Sequence, residues 1–147
     1  MTEPSIKSRI VARLLQLPEP LKADGKLRLI ARKRTFFLLE PVKPALHLIT
    51  EDEQVTVEDE RGYTMIFPVS FKLILAAAHD AEARCDELAA WLQEKIEADE
   101  QLNGLASKIT YDGELPFTEE QGKPDGGTVV MYTVEYRRYR GDPGRSY

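Results

Sequence analysis

From Tyr63 to Leu75, an apolar or aromatic residue stands at every second position: Tyr63, Met65, Phe67, Val69, Phe71, Leu73 and Leu75. Side chains of a strand alternate between two faces, so this run predicts a long strand with one wholly apolar face. Such a face must be covered, and the rest of the chain has to supply the cover. Pro68 interrupts the run and cannot donate to a ladder, which predicts a bulge or an edge position there. Just upstream, Val55-Thr56-Val57 and the tight turn expected at Arg61-Gly62 predict a hairpin over 54–75.

Two segments have the helical period that a cover needs. In 5–17, Ile6, Ile10, Leu14 and Leu17 form a stripe widened by Val11 and Leu15, with Ser5 at the start and Pro18 and Pro20 as stops. In 80–98, Ala81, Cys85, Leu88, Ala89, Leu92 and Ile96 form a second stripe, with Asp80 as the expected N-cap and Asn103-Gly104 as the stop. Leu27, Leu29 and Ala31 alternate with Arg28, Ile30 and Arg32, and Leu46 and Leu48 alternate with His47 and Ile49, so both segments read as strands. Further strands are expected around 105–111 and over 128–140, the latter with Val130, Tyr132, Val134 and Tyr136 on one face. Between them, 118–127 holds too many turn residues for regular structure and reads as a flexible loop, and 141–147 reads as a mobile C-terminal tail. Strands cluster ahead of the long helix instead of alternating with helices, which predicts a single α+β domain over 1–147. Its sheet is expected to be mixed or mainly antiparallel, with the N-terminal helix and the long helix packed on one face. The expected buried set includes Ile10, Leu14, Phe67, Val69, Phe71, Leu88, Leu92 and Val134.

Charge is unevenly distributed. Residues 1–34 hold nine Lys+Arg against three Asp+Glu, residues 35–136 hold seven against twenty-one, and residues 137–147 hold four against one, for a net of −5. No apolar run approaches the roughly 18 residues needed to span a bilayer. The start lacks the basic and apolar regions of a secretory signal, and the lone Cys85 has no internal disulfide partner, so the chain reads as cytosolic.

The search for chemistry finds no catalytic, cofactor or metal constellation. His47 and His79 stand in no metal-ligand or nucleophile–base spacing, and Cys85 lies on an apolar helix stripe. The glycines at 122, 126 and 127 precede a strand, not the helix that a phosphate-binding loop requires. The acidic triplets Glu51-Asp52-Glu53 and Glu58-Asp59-Glu60 lack the spacing of a calcium loop. Lys26 to Arg34, followed by Phe36 and Phe37, is basic enough to suggest nucleic acid, but the overall pI of about 5.2 opposes it. Tyr132, Tyr136 and Tyr139, with Arg137 and Arg138, read either as an interface patch or as sheet-face packing.

A pattern over 80–143 carries a resemblance. The long helix leads to Asp99-Glu-Gln-Leu102-Asn-Gly104-Leu105, then to a strand with Ile109 and Tyr111, a polar loop, and Val129 to Tyr136, closing on Tyr139-Arg-Gly-Asp142-Pro143. This resembles the tail-terminator or tail-completion (minor tail protein U-like) proteins of long-tailed bacteriophages and prophages. They too open with an amphipathic helix, place a long helix before a Leu-x-Gly-Leu step and end in a strand with an Asp-Pro finish. The resemblance implies a structural protein without catalytic residues, made in the host cytoplasm and built into the virion tail. It implies a ring, typically six-fold, that caps the tail tube and faces the head-side connector. The stretches 26–34 and 35–60 match no pattern of that family. Other readings are a different phage neck or head–tail connector protein, a nucleic-acid-binding or regulatory module, and a small hydrolase or transferase.

A ring needs two different patches per subunit. The charge segregation suggests a basic patch from 1–34 and 137–145 and an acidic one from 51–60 and the long helix. In that reading Arg137, Arg138 and Arg140 face Glu58, Asp59 and Glu60 of a neighbour. The loop 118–127 would reach a neighbour or line the channel, where its carboxylates would let DNA pass.

Overall fold

The computed structural model describes residues 4–32, 43–75, 80–118 and 126–147. The elements run α1 (Ile6–Gln16), α2 (Glu19–Ala23), β1 (Leu29–Arg32), β2 (Ala45–Thr50), β3 (Gln54–Glu58), β4 (Gly62–Leu75), α3 (Ala81–Glu97), β5 (Lys108–Thr118) and β6 (Gly126–Tyr139). The six strands form one mixed sheet in the order β1-β2-β4-β6-β5, with β3 also paired to β4. Only β1 and β2 run parallel, and every other pair is antiparallel. This is the α+β fold expected from the clustering of strands.

The long alternating run is the sheet's central strand. Met65, Phe67, Val69, Phe71, Leu73 and Leu75 are buried and share a core with Leu46 and Leu48 of β2 and Val130, Tyr132, Val134 and Tyr136 of β6. Ile6, Ile10 and Leu14 of α1 and Leu88, Leu92 and Ile96 of α3 complete that core, so both helices cover the same face. The whole expected buried set is buried. On β1, Ile30 shares the core side with Leu46, whereas Leu29 and Ala31 share the other side with Ala45 and His47. Ile30 thus joins the core although the alternation groups it with Arg28 and Arg32, a side that the alternation alone does not give.

Pro68 is neither at an edge nor in a bulge. It pairs in unbroken register with Thr133 of β6. On the opposite side of β4, β2 pairing ends at Val69 and β3 pairing begins at Ile66, with Pro68 between them. Its carbonyl accepts the Glu51 N–H at 3.0 Å, so its nitrogen faces that same interval, where no ladder donor is required.

Local signals set the element ends. Ser5 caps α1, its Oγ accepting the Ser8 N–H at 3.1 Å. Asp80 holds the N-cap position of α3, but its side chain makes no capping hydrogen bond. Pro18 and Pro20 do end α1, and they also open α2, since proline fits the first turn of a helix where no amide donor is needed. After α3, Leu102, Asn103 and Gly104 all have positive φ, at 49°, 60° and 82°. This left-handed step buries Leu102 and turns the chain into β5. Arg13 of α1 pins it through a 2.9 Å contact with Asp99, whose second carboxylate oxygen accepts the Asn103 N–H.

The described residues of two regions expected to be flexible make defined contacts. Strand pairing extends through Thr118 and Gly126, so β5 and β6 occupy both ends of the expected loop 118–127, and 119–125 lie outside the described residues. The segment 141–147 is tied down: the Ile6 N–H donates to the Pro143 carbonyl at 2.9 Å, Arg9 donates to the Gly144 carbonyl, and Gly144 is buried. Turn residues made it look loose, but its backbone carbonyls meet the otherwise open start of α1.

Candidate assembly surfaces

The β3–β4 turn is built by Asp59, which accepts the Arg61 and Gly62 N–H groups at 2.8 and 3.0 Å. Gly62 then lies so close to β6 that a Cβ there would sit 1.9 Å from the Arg138 carbonyl oxygen. Glycine is therefore required by close approach, and that approach brings the two expected charged patches together.

The register sets Tyr63 opposite Arg138 and Thr64 opposite Arg137, beside Glu58, Asp59 and Glu60. Arg140 reaches Glu58 Oε1 at 2.9 Å, the Asp59 carbonyl at 2.9 Å and the Tyr63 hydroxyl at 3.0 Å. The Arg138 and Arg140 guanidiniums lie 4.8 and 4.9 Å from the Tyr63 ring centre. Tyr147 donates to Asp59 at 3.0 Å and packs on Tyr139. The Gly62 N–H, followed by the Tyr147 hydroxyl, holds the Asp59 carboxyl below its ordinary range, and the Glu58 hydrogen bond holds Arg140 above its own. Arg140 thus meets Glu58 and the Asp59 carbonyl inside its own chain. Arg137 and Glu60 remain exposed beside Val57, around a shallow cavity of about 590 Å³.

Tyr132 and Tyr136 belong to the core, not to an interface patch. Tyr136 donates to Glu53, tying the acidic segment between β2 and β3 to the sheet. Burial, then that hydrogen bond, raises the Tyr136 hydroxyl well above the tyrosine range. The Tyr132 hydroxyl is buried without a hydrogen-bond partner of normal geometry among the described residues; burial, then nearby Glu97, raises it likewise.

The residue types that could carry chemistry stand apart. His47 and Cys85 are buried, and burial pushes the Cys85 thiol up, away from reactivity. His79, Phe36 and Phe37 lie outside the described residues. Among the described residues no three of His, Cys, Asp and Glu are grouped to hold a metal ion, and no helix is long and apolar enough to cross a membrane.

A second surface was not legible locally. The ends of the sheet are β1 and β5, and no described strand pairs with the outer edge of either. Near β1, Lys22, Arg28 and Arg32 are exposed, while along β5 Asp112, Glu114, Tyr111 and Leu115 are exposed. Leu115 lies beyond the strand expected around 105–111, between Gly113 and Pro116, which break the local strand pattern. Compared with known proteins, the chain matches no family model and no curated protein.

Proposed function

We propose that the chain is a structural protein of a phage tail, a tail terminator whose copies form a ring, six-fold by the family resemblance, that caps the tail tube and faces the head-side connector. One observation supports this above the others. The residues that carry the resemblance form one continuous unit: α3, the left-handed Leu102–Leu105 step, edge strand β5 and long strand β6, which closes at Tyr139–Pro143. The unit leaves a broad sheet with open edges and exposes no nucleophile–base pair among its described residues, which suits a subunit that works by contact.

Electron microscopy of the purified protein with and without its tube protein tests the reading. Rings seated at one end of each tube, together with a halt in tube growth, are the expected outcome. Tubes that keep growing with bare ends would overturn it. The exposed basic groups near β1 favour one other reading, a nucleic-acid-binding module, and duplex DNA retained at physiological salt by the free protein would support that instead.

A further inference from the structure

We propose that the β1 edge of one copy docks on the β5 edge of the next, with Lys22, Arg28 and Arg32 facing Asp112 and Glu114. This deepens the ring reading and rests on it for the choice of a second copy as partner. Three features lead to it.

The first is position. β1 and β5 are the two ends of the strand order, so they lie on opposite sides of the subunit. A contact between them is head-to-tail, the type that closes into a ring or continues as a filament.

The second is charge. α2 packs beside β1 and brings Lys22 to the same margin as Arg28 and Arg32. None of these three has a carboxylate partner among the described residues; Arg32 donates only to the Thr50 hydroxyl, at 3.2 Å. At the other margin, Asp112 and Glu114 accept hydrogen bonds from Thr133 and Thr128 but meet no described cation. Glu97 of α3 adds to this field: with Glu114, and after burial, it raises the Tyr111 hydroxyl. Opposite signs on opposite edges set register and speed encounter.

The third is apolar area. Tyr111 and Leu115 are 41% and 59% exposed, and among the described residues they are the large apolar side chains most open to solvent outside β3. Their register partners Tyr132 and Val129 lie on different faces of the sheet, because the bulge between Tyr111 and Gly113 shifts the alternation. A neighbouring edge would cover one apolar side chain on each face. Pro116 and that bulge also limit backbone pairing to part of the strand, so side chains carry most of the contact.

The test uses charge reversal on the full chain, followed by sedimentation velocity and by tube capping. Arg28→Glu with Arg32→Glu, or Asp112→Lys with Glu114→Lys, is expected to weaken self-association at least tenfold while the thermal transition stays near that of the unmodified protein. Mixing the two variants should restore larger assemblies of alternating composition, since one variant is then acidic and the other basic on both edges, and placing all four changes in one chain should restore them as well. Reversed variants that associate like the unmodified protein would overturn the edge contact and leave the ring reading standing. Self-association that depends on these edges without any capping of tubes would retain the contact and overturn the ring reading. An unmodified protein that stays monomeric with and without tubes would overturn both. Loss of duplex DNA binding in the β1 variants, with self-association unchanged, would reassign that edge to nucleic acid and overturn the proposal.

Discussion

The β3–β4 turn and the outer edge of β5 are both charged, exposed and close to apolar side chains, yet their charges face different things. At the turn, Glu58 and Asp59 meet Arg140, Tyr147 and backbone N–H groups of the same chain. At the edge, Asp112 and Glu114 accept from threonine hydroxyls. The turn's charges are therefore met within the fold, whereas those of the edge meet no cation among the described residues. A count of charges cannot separate the two regions, but a register can.

The largest effect that would sharpen this comparison is expected at Gly62. Adding a methyl group against the Arg138 carbonyl forces the hairpin away from β6. Gly62→Ala should cost about 3 kcal/mol, at the upper end for overpacked sites. Denaturant unfolding measures it, and a loss under about 0.5 kcal/mol, typical of surface changes, would mean the turn contributes little to folding.

Tyr136→Phe comes next, since it removes a buried hydroxyl's bond to Glu53. A loss of about 1.5 kcal/mol at neutral pH fits a hydrogen bond to a charged partner. The variant also has a pH signature. Tyr132 and Tyr136 are raised above the ordinary value of 10.0, so above that pH the unfolded chain loses protons that the folded chain keeps. Stability from this source is complete below about pH 10 and falls as the pH rises past it. The fall between pH 9 and 11 should be shallower in Tyr136→Phe, as thermal unfolding across that range would show.

Arg140→Ala should have a smaller effect, because its partners are exposed and well hydrated. Chemical denaturation at low and high salt checks this, and the difference from the unmodified protein should shrink as salt rises. Smallest of all is the effect of Glu114→Lys on folding, expected within about 0.5 kcal/mol. If Glu114→Lys cost as much as Gly62→Ala, the edge would be part of the folding core and the contrast would fail.

Much of the fold was legible because periodicity and burial report the same thing. Alternation in 63–75 and 128–136 and the stripes of α1 and α3 each require a covered face, and one core satisfies them all. Pro68 was legible as a special position but not in its role, because two strands sharing one side of β4 cannot be inferred from β4 alone. The candidate surfaces were harder to read. Arg140 and Glu58 are far apart in the chain, and only the antiparallel register of β4 with β6 shows that they meet at once within a subunit. Tyr132 and Tyr136 fit either packing or an interface by composition, and burial decides for packing. Which strands are edges is a property of sheet order, and local pattern carries no record of it.

The seat of α1 has a consequence for how the molecule forms. Its backbone can coil early from its own short-range hydrogen bonds, but Arg9 reaches a carbonyl 135 positions along the chain, and Ile6 reaches the residue just before it. Contacts between such distant parts of a chain come at the cost of slow loop closure and lower folding rates. During synthesis, α1 and the strands it covers would wait for Pro143 and Gly144 to emerge before the first helical turn is closed. Until then, the apolar stripe of α1 has only a partial partner, and a ribosome that pauses within β6 would leave that stripe open to solvent.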